Sequence, residues 1–307
     1  MKKILAPMFA VALLYSCSNS DDNSIPVNPD EKYLNGVFVS NEGNFTKSNA
    51  TTSHINGGLS AITNDIFKTS NGRALGDVSQ SMVVSDKYVF VVMNNSNTIE
   101  VVNKKTFKSV YTISEKLNSP RYAVIKNDKL YVTSLKDATV NVYNAETFAF
   151  VKEIELNNNA EQIVATNDYI YAANEFYGGG MALEVINPAT DTNTTDIAFN
   201  NAISAIGTNG EFVYVLQNSG YDETSISTIS IVSNTSISSS KQLDQLNSRK
   251  MDIDGSNIYY ISGTGIYKMN NSLTSAGTKL FDVNSGDQYS ILYGFNVING
   301  NIYTSDA

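Results

Sequence analysis

Seven short runs along the chain share one hydrophobic pattern: VFVS, VFVVM, LYVTS, IYAAN, VYVLQ, IYYIS and IYTSD. Each carries an aromatic ring, at Phe38, Phe90, Tyr131, Tyr171, Tyr214, Tyr259 and Tyr303, and the successive spacings are 52, 41, 40, 43, 45 and 44 residues. Runs such as YVFVVM are apolar at consecutive positions instead of alternating, which predicts strands buried on both faces. A second landmark follows the inner runs: IEVVNKKTF, VNVYNAETF, LEVINPATD, ISIVSNTSI and IYKMNNSLT, each an apolar strand ending in a polar turn. Asn103, Asn144, Asn187 and Asn270 head these turns, with Ser233 in the same slot. Such side chains accept hydrogen bonds from backbone amides two residues on. A returning strand comes next, as in FKSVYTI or FAFVKEI, and one more precedes each aromatic run, as in RYAVIK or QIVATN.

Four short strands per repeat of roughly 40 to 45 residues is the spacing of a β-propeller blade. A parallel β-helix would show shorter coils and no hairpin turns. The pattern therefore predicts an all-β chain folded as a seven-bladed β-propeller over residues 34–307. Its last blade is expected to be incomplete, since Ala307 falls two strands into the seventh repeat, as in a C-terminally truncated copy.

Composition narrows the function classes. Net charge is -9, from 21 basic and 30 acidic residues, and the basic ones are scattered. A phosphate backbone needs clustered Lys and Arg, so no nucleic-acid partner is expected. Cys17 and His54 are the only residues of their kinds, which excludes a disulfide framework, a Cys-His nucleophile and a zinc site of several His or Cys ligands. His54 stands in a Ser/Thr/Asn-rich stretch and is expected at the solvent surface. Tryptophan is absent, so tryptophan-docking and WD repeats are out.

The first residues read as an address. Met1 to Cys17, MKKILAPMFAVALLYSC, has two lysines, an apolar run too short to span a membrane, and small residues at its end: a signal peptide over residues 1–16. LYSC resembles the bacterial lipobox, which implies lipidation of Cys17; an ordinary secreted protein with a cysteine beside its cleavage site is the alternative. Residues 17–33 form a polar tether, and Ser20-Asp21-Asp22 resembles the acidic signal that sends lipoproteins of Bacteroides and its relatives to the cell surface.

The blade text, a tyrosine-valine pair followed by asparagine, resembles the YVTN family of bacterial surface propellers. More specifically, GVFVSNEGNF near the start, LGDVSQSM at Leu75 to Met82, SPRY at Ser119 to Tyr122 and YGFNV at Tyr293 to Val297 are similar to extracellular propeller lipoproteins of Bacteroides-type bacteria. Some of those bind cobalamin over an outer-membrane transporter. The resemblance implies a lipid-anchored, non-enzymatic outer-membrane protein that needs no cofactor. Such a protein binds a bulky polar ligand, with cobalamin the best single guess, and passes it to a TonB-dependent transporter.

In a propeller, the loops leading into the innermost strands and those joining second to third strands open on one face around a central funnel. The first set supplies Gln80, Arg121, Tyr122, Glu161, Gln162, Arg249, Lys250 and Tyr293. The second supplies Asn41, Glu42, Asn44, Phe45, Asn94, Lys136, Asn174, Phe176, Tyr177, Gln217 and Tyr221. Amides, aromatics and a few charges suit a polar ligand held by hydrogen bonds and stacking. Each feature has a plainer reading too. In NEGNF, Gly43 can simply permit a turn and Phe45 cover a blade edge; Arg121 can pair with a carboxylate across the funnel; Phe176-Tyr177 before three glycines can be a hairpin tip. Asp252 and Asp254 alternate with apolar residues and are a two-ligand candidate for calcium. A Ca-dependent lactonase-like hydrolase is one alternative, weakened because the inner strands SMVV, YAVIK, IVATN and ISAIGT are apolar. A protein-interaction or adhesion propeller is the other.

Overall fold

The computed structural model describes residues 31–174, 180–283 and 292–306. The expected signal segment, Cys17, the first part of the tether, and Phe176 and Tyr177 lie outside the described residues. A first sheet joins β1 (Gly36–Asn41), β2 (Thr51–Asn56) and β3 (Ile62–Thr63), followed by the short helix α1 (Ile66–Asn71). The second contains β4 (Ser79–Val84), β5 (Tyr88–Met93), β6 (Thr98–Asn103) and β7 (Ser109–Ile113). The third contains β8 (Pro120–Lys126), β9 (Lys129–Ser134), β10 (Thr139–Asn144) and β11 (Phe150–Glu155). The fourth contains β12 (Ala160–Ala165), β13 (Ile170–Asn174), β14 (Ala182–Asn187) and β15 (Thr192–Ala198). The fifth contains β16 (Ala202–Thr208), β17 (Val213–Asn218), β18 (Ile226–Ser233) and β19 (Ser236–Leu246). The sixth contains β20 (Ser248–Asp254), β21 (Asn257–Ser262), β22 (Gly265–Asn270) and β23 (Thr278–Asp282), and β24 (Leu292–Ile298) pairs with β25 (Asn301–Asp306) alone.

The molecule is an all-β propeller. Six sheets carry three or four strands and form blades, which corrects the expected seven: the repeat around Tyr303 contributes only the two-stranded ladder. Strands β4, β8, β12, β16, β20 and β24 pack on one another in succession around the axis, and β1 packs on β4. β1 therefore occupies a second-strand position, with Phe38 where Phe90 and Tyr131 stand in their blades.

The repeating aromatic is the wedge between blades. Tyr131 is buried in a cluster with Val140 and Val142 of its own blade and Ile163, Ile170 and Ile186 of the next. Its hydroxyl donates to Asp191 Oδ1 at 2.5 Å in the following blade, and Lys129 Nζ meets Asp191 Oδ2 at 2.6 Å. One blade on, Tyr171 repeats the arrangement, its hydroxyl donating to Asn234 O at 2.8 Å. The expected turns form as well: Asn103, Asn144, Asn187 and Asn270 each accept, through Oδ1, from the amide two residues on, at 2.9–3.0 Å.

Asp252 and Asp254 bolt the final ladder to the sixth blade. Asp252 accepts from Val297 N at 2.7 Å and Asp254 from Gly300 N at 2.7 Å. Burial pushes the Asp252 carboxyl up. Among the described residues no group of three or more His, Cys, Asp or Glu is placed to hold a metal.

His54 corrects an expectation. Instead of facing solvent it is 5% exposed, set in β2 opposite Phe38 and against the rings of Tyr33 and Phe38 at 5.2 and 5.3 Å. The polar text TTSHIN hides a paired strand. Burial lowers the imidazole's affinity for a proton. The folded state thus prefers neutral His54, so its contribution is complete above the ordinary value of 6.5 and is lost as pH falls below it. Urea midpoints should therefore fall between pH 7 and 5.5, with a slope of at most about 1.4 kcal/mol per pH unit from this group. A His54→Leu variant should flatten that slope. Separately, Tyr171→Phe should lower stability by about 1 kcal/mol through loss of its bond to Asn234, read from the same midpoints.

Candidate functional site

Every innermost strand breaks register at the same place. Shifts fall between Ser79 and Ser81, Pro120 and Ala123, Ala160 and Ile163, Ile203 and Ala205, Ser248 and Lys250, and Leu292 and Gly294. These are β-bulges, which re-aim side chains and leave backbone groups without ladder partners. The residues caught in them are Gln80, Arg121 with Tyr122, Glu161 with Gln162, Ser204, Arg249 and Tyr293. Sequence reading placed most of these in loops leading into the inner strands; the bulges are what turn them to the funnel mouth.

Side chains from the preceding blade satisfy the carbonyls around the bulges. Ser40 Oγ donates to Ser79 O at 2.9 Å, Asn94 Nδ2 to Pro120 O at 3.1 Å, Thr133 Oγ1 to Glu161 O at 2.7 Å and Asn218 Nδ2 to Ser248 O at 2.7 Å. Asn94 is therefore buried and structural. So are two other candidates from the second-to-third-strand positions: Gln217 donates to Ser230 Oγ at 2.8 Å, and Asn174 contacts Glu184. Asn41 is half-buried and donates to Thr51 and Ser53 of the neighbouring strand.

At the mouth, Arg121 is gripped on two sides. Its Nε donates to Glu161 Oε2 at 2.8 Å, Nη2 reaches Glu161 Oε1, and Nη1 reaches Gln80 Oε1. Both partners of the ion pair are largely covered, at 17% and 18% side-chain exposure. Burial works against the guanidinium's charge, but the Glu161 bonds outweigh it and hold Arg121 above its ordinary value. Gln80 Nε2 also donates to Tyr122 Oη at 3.3 Å. Across the ring the Tyr293 hydroxyl donates to Glu42, joining the last ladder to the first sheet. Burial first, then the Glu42 carboxylate, push that phenol up to about 12. Lys250 Nζ lies 5.8 Å from the Tyr293 ring centroid, and among the described residues no carboxylate is within salt-bridge reach of it; burial lowers its proton affinity. Arg249 is exposed and donates weakly to Asn247 Oδ1 at 3.3 Å.

The structure thus brings together the sequence candidates Glu42, Gln80, Arg121, Tyr122, Glu161, Lys250 and Tyr293. It leaves others apart. Asn44 is tied to Asn49 on an exposed loop, Phe45 is 66% exposed, and Tyr221 is 57% exposed. Lys136 lines a separate depression of about 650 Å³ with Lys116 and Asp137.

The family profile described as "Domain of unknown function (DUF5074)" matches residues 35–302. The chain belongs to that family. Solved structures similar to this DUF5074 propeller include the Pan2 WD40 domain of Neurospora crassa, at 13% identity and a TM-score of 0.64, covering 90% of this chain and 86% of that one. Virginiamycin B lyase of Staphylococcus aureus matches at 13% identity and 0.56, over 73% and 76% of the two chains. BamB of Moraxella catarrhalis matches at 13% and 0.51, over 73% and 67%. At these identities the likeness concerns the fold. No curated protein sequence matches the chain.

The geometry makes a test of the mouth's stability. Glu161→Ala strands a half-buried guanidinium and should cost about 2–3 kcal/mol, whereas Arg121→Met combined with Glu161→Met should recover at least half of that. Thermal or urea midpoints of the two variants check the expectation.

Proposed function

We propose that this DUF5074 protein is a lipid-anchored propeller at the outer face of the outer membrane. In this reading it captures a bulky polar ligand at the funnel mouth and passes it to a TonB-dependent transporter. The observation that carries the binding part is the six-fold repetition of the bulge, which directs side chains of inner strands from different blades toward one opening.

Chemistry at the mouth favours binding over catalysis. Glu161 is committed to Arg121 and Glu42 to Tyr293, so neither carboxylate stands ready as a general base. What remains for a ligand is the Lys250 ammonium, the exposed part of the Tyr293 ring, and the side-chain NH2 groups of Gln80, partly used by Tyr122, and of Gln162, whose carbonyl oxygens are already taken by Arg121 and Ile206 N. Cobalamin, the ligand implied by the family resemblance, offers matching groups: amide arms for hydrogen bonds, a phosphodiester for Lys250 and a flat ring system for Tyr293. Cell-surface anchoring and the transporter partner rest on the lipobox-like LYSC and the same resemblance.

Calorimetric titration of the purified chain with cyanocobalamin tests the reading. One saturable site is expected, weakened at least about tenfold in Lys250→Glu, whose new charge would repel the phosphodiester. Absence of saturable binding by the native chain would remove cobalamin, and binding indifferent to Lys250→Glu would move the site away from the mouth. Specific retention of a protein partner in place of a corrinoid would favour the interaction-module reading.

A further inference from the structure

One ladder of the ring is open on a side that the four-stranded blades fill. Their second strands, β5, β9, β13, β17 and β21, each pair with a neighbour on both edges. β25, in the equivalent place, pairs with β24 alone. Its outer row of backbone N–H and C=O groups therefore has no ladder partner among the described residues. The repeating aromatics show the difference: Phe90, Tyr131, Tyr171, Tyr214 and Tyr259 are 0–5% exposed, whereas Tyr303 on β25 is half-buried.

The sixth blade carries the consequence. Phe281 stands opposite Ile266, in the register that Ile113 holds with Ile99, Ile154 with Val140 and Ile197 with Leu183. Those three isoleucines are 2%, 3% and 6% exposed, and Phe281 is 47% exposed. Each isoleucine shares a hydrophobic cluster with an apolar side chain from the third strand of the next blade: Tyr143, Ile186 and Val232 in turn. No described strand stands in that place beyond β25, so Phe281 is uncovered. The sixth blade's tyrosine is left open in the same way. Tyr131 and Tyr171 bond through their hydroxyls to the turn after the next blade's third strand, at Asp191 and Asn234, while the Tyr259 hydroxyl makes no hydrogen bond among the described residues. A free strand edge, an uncovered phenylalanine and an unbonded tyrosine all point to one element in that place, a third strand with the turn that follows it.

We propose that the outer edge of β25 binds a β-hairpin of another polypeptide, added antiparallel as the ladders of the sixth blade are. Its first strand lays an apolar side chain over Phe281, and a carbonyl or carboxylate in its turn accepts from the Tyr259 hydroxyl. The surroundings set the form of the occupant. The edge lies between the sixth blade, which packs on β24, and the first sheet, tied to β24 through Tyr293 and Glu42. Packed sheets stack about 10 Å apart, so the place admits a layer one sheet thick and shuts out a second folded copy. The inference is independent of the reading of the funnel mouth.

The test titrates the purified full chain with a blocked synthetic peptide copying residues 139–155, the third and fourth strands of the third blade. Saturable binding is expected, and amide exchange across residues 301–306 should slow in the complex. Phe281→Ser should weaken binding at least about tenfold, through lost ring burial, and Tyr259→Phe a few-fold. The first residue is exposed and the second loses a hydroxyl that serves no bond among the described residues, so neither change should move the urea midpoint of the free chain appreciably. In the peptide, Tyr143→Asp should abolish binding. The proposal is overturned if the peptide fails to bind, if it binds without slowing exchange across 301–306, or if Phe281→Ser leaves its affinity unchanged. Self-association of the free chain that Phe281→Ser abolishes and the peptide cannot displace would overturn it as well, giving the edge to a second copy. Peptide binding by a chain that takes up no cyanocobalamin would sustain this inference while removing the ligand read at the mouth.

Discussion

The aromatic wedge between neighbouring sheets is the constraint on which the rest depends. A tyrosine on a second strand buries its ring in the core shared with the next blade, while its hydroxyl reaches a turn on that blade's outer side, as Tyr131 does with Asp191 and Tyr171 with Asn234. Ring burial resists separation of the blades, and the directed hydroxyl bond resists sliding. With both motions opposed, inner strands from different blades keep a common height along the axis. Only then can side chains some 40 residues apart in sequence, such as Gln80, Arg121 and Glu161, meet at hydrogen-bond distance.

That common height gives the bulges their effect. A bulge leaves its strand one residue out of step, so carbonyls nearby need donors from elsewhere, and the preceding blade supplies them through Ser40, Asn94, Thr133 and Asn218. The arrangement is the same solution repeated around the ring. Closure is different: hydrophobic clusters link each described sheet to its successor, ending with Tyr259, Ile261, Phe295 and Val297. Among the described residues no such cluster spans the last ladder and the first sheet, where Tyr293 and Glu42 make the connection. A mouth residue therefore also holds the seam, and its loss would loosen both.

The propeller was legible because its signal is periodic. Aromatic rings at nearly constant spacing and Asn-headed turns are local features that the folded chain must repeat if each blade is to pack like the last. Blade count was less so, since an aromatic run marks a second strand and says nothing of whether outer strands follow, as Tyr303 does not. The strand TTSHIN was missed because its partners are half-exposed and polar text carries no period. Asn174 and Gln217 read as loop residues although they sit in the ends of β13 and β17, and Asn94, directly after β5, is buried like them; composition cannot tell an amide aimed at solvent from one spent on a neighbouring group. Bulges leave no sequence mark at all, for a one-residue slip is decided by what the adjacent strand offers.

Residues 157–162 are held from several directions at once. Glu184 pins the amides of Asn157 and Asn158, Arg121 grips Glu161, and Gln162 Oε1 accepts from Ile206 N at 2.9 Å in the next blade. One short segment is thus fixed from three blades, and it presents an ion pair to the funnel mouth. A ligand at the mouth meets groups whose positions were set before it arrived, which spares it the entropy of ordering them.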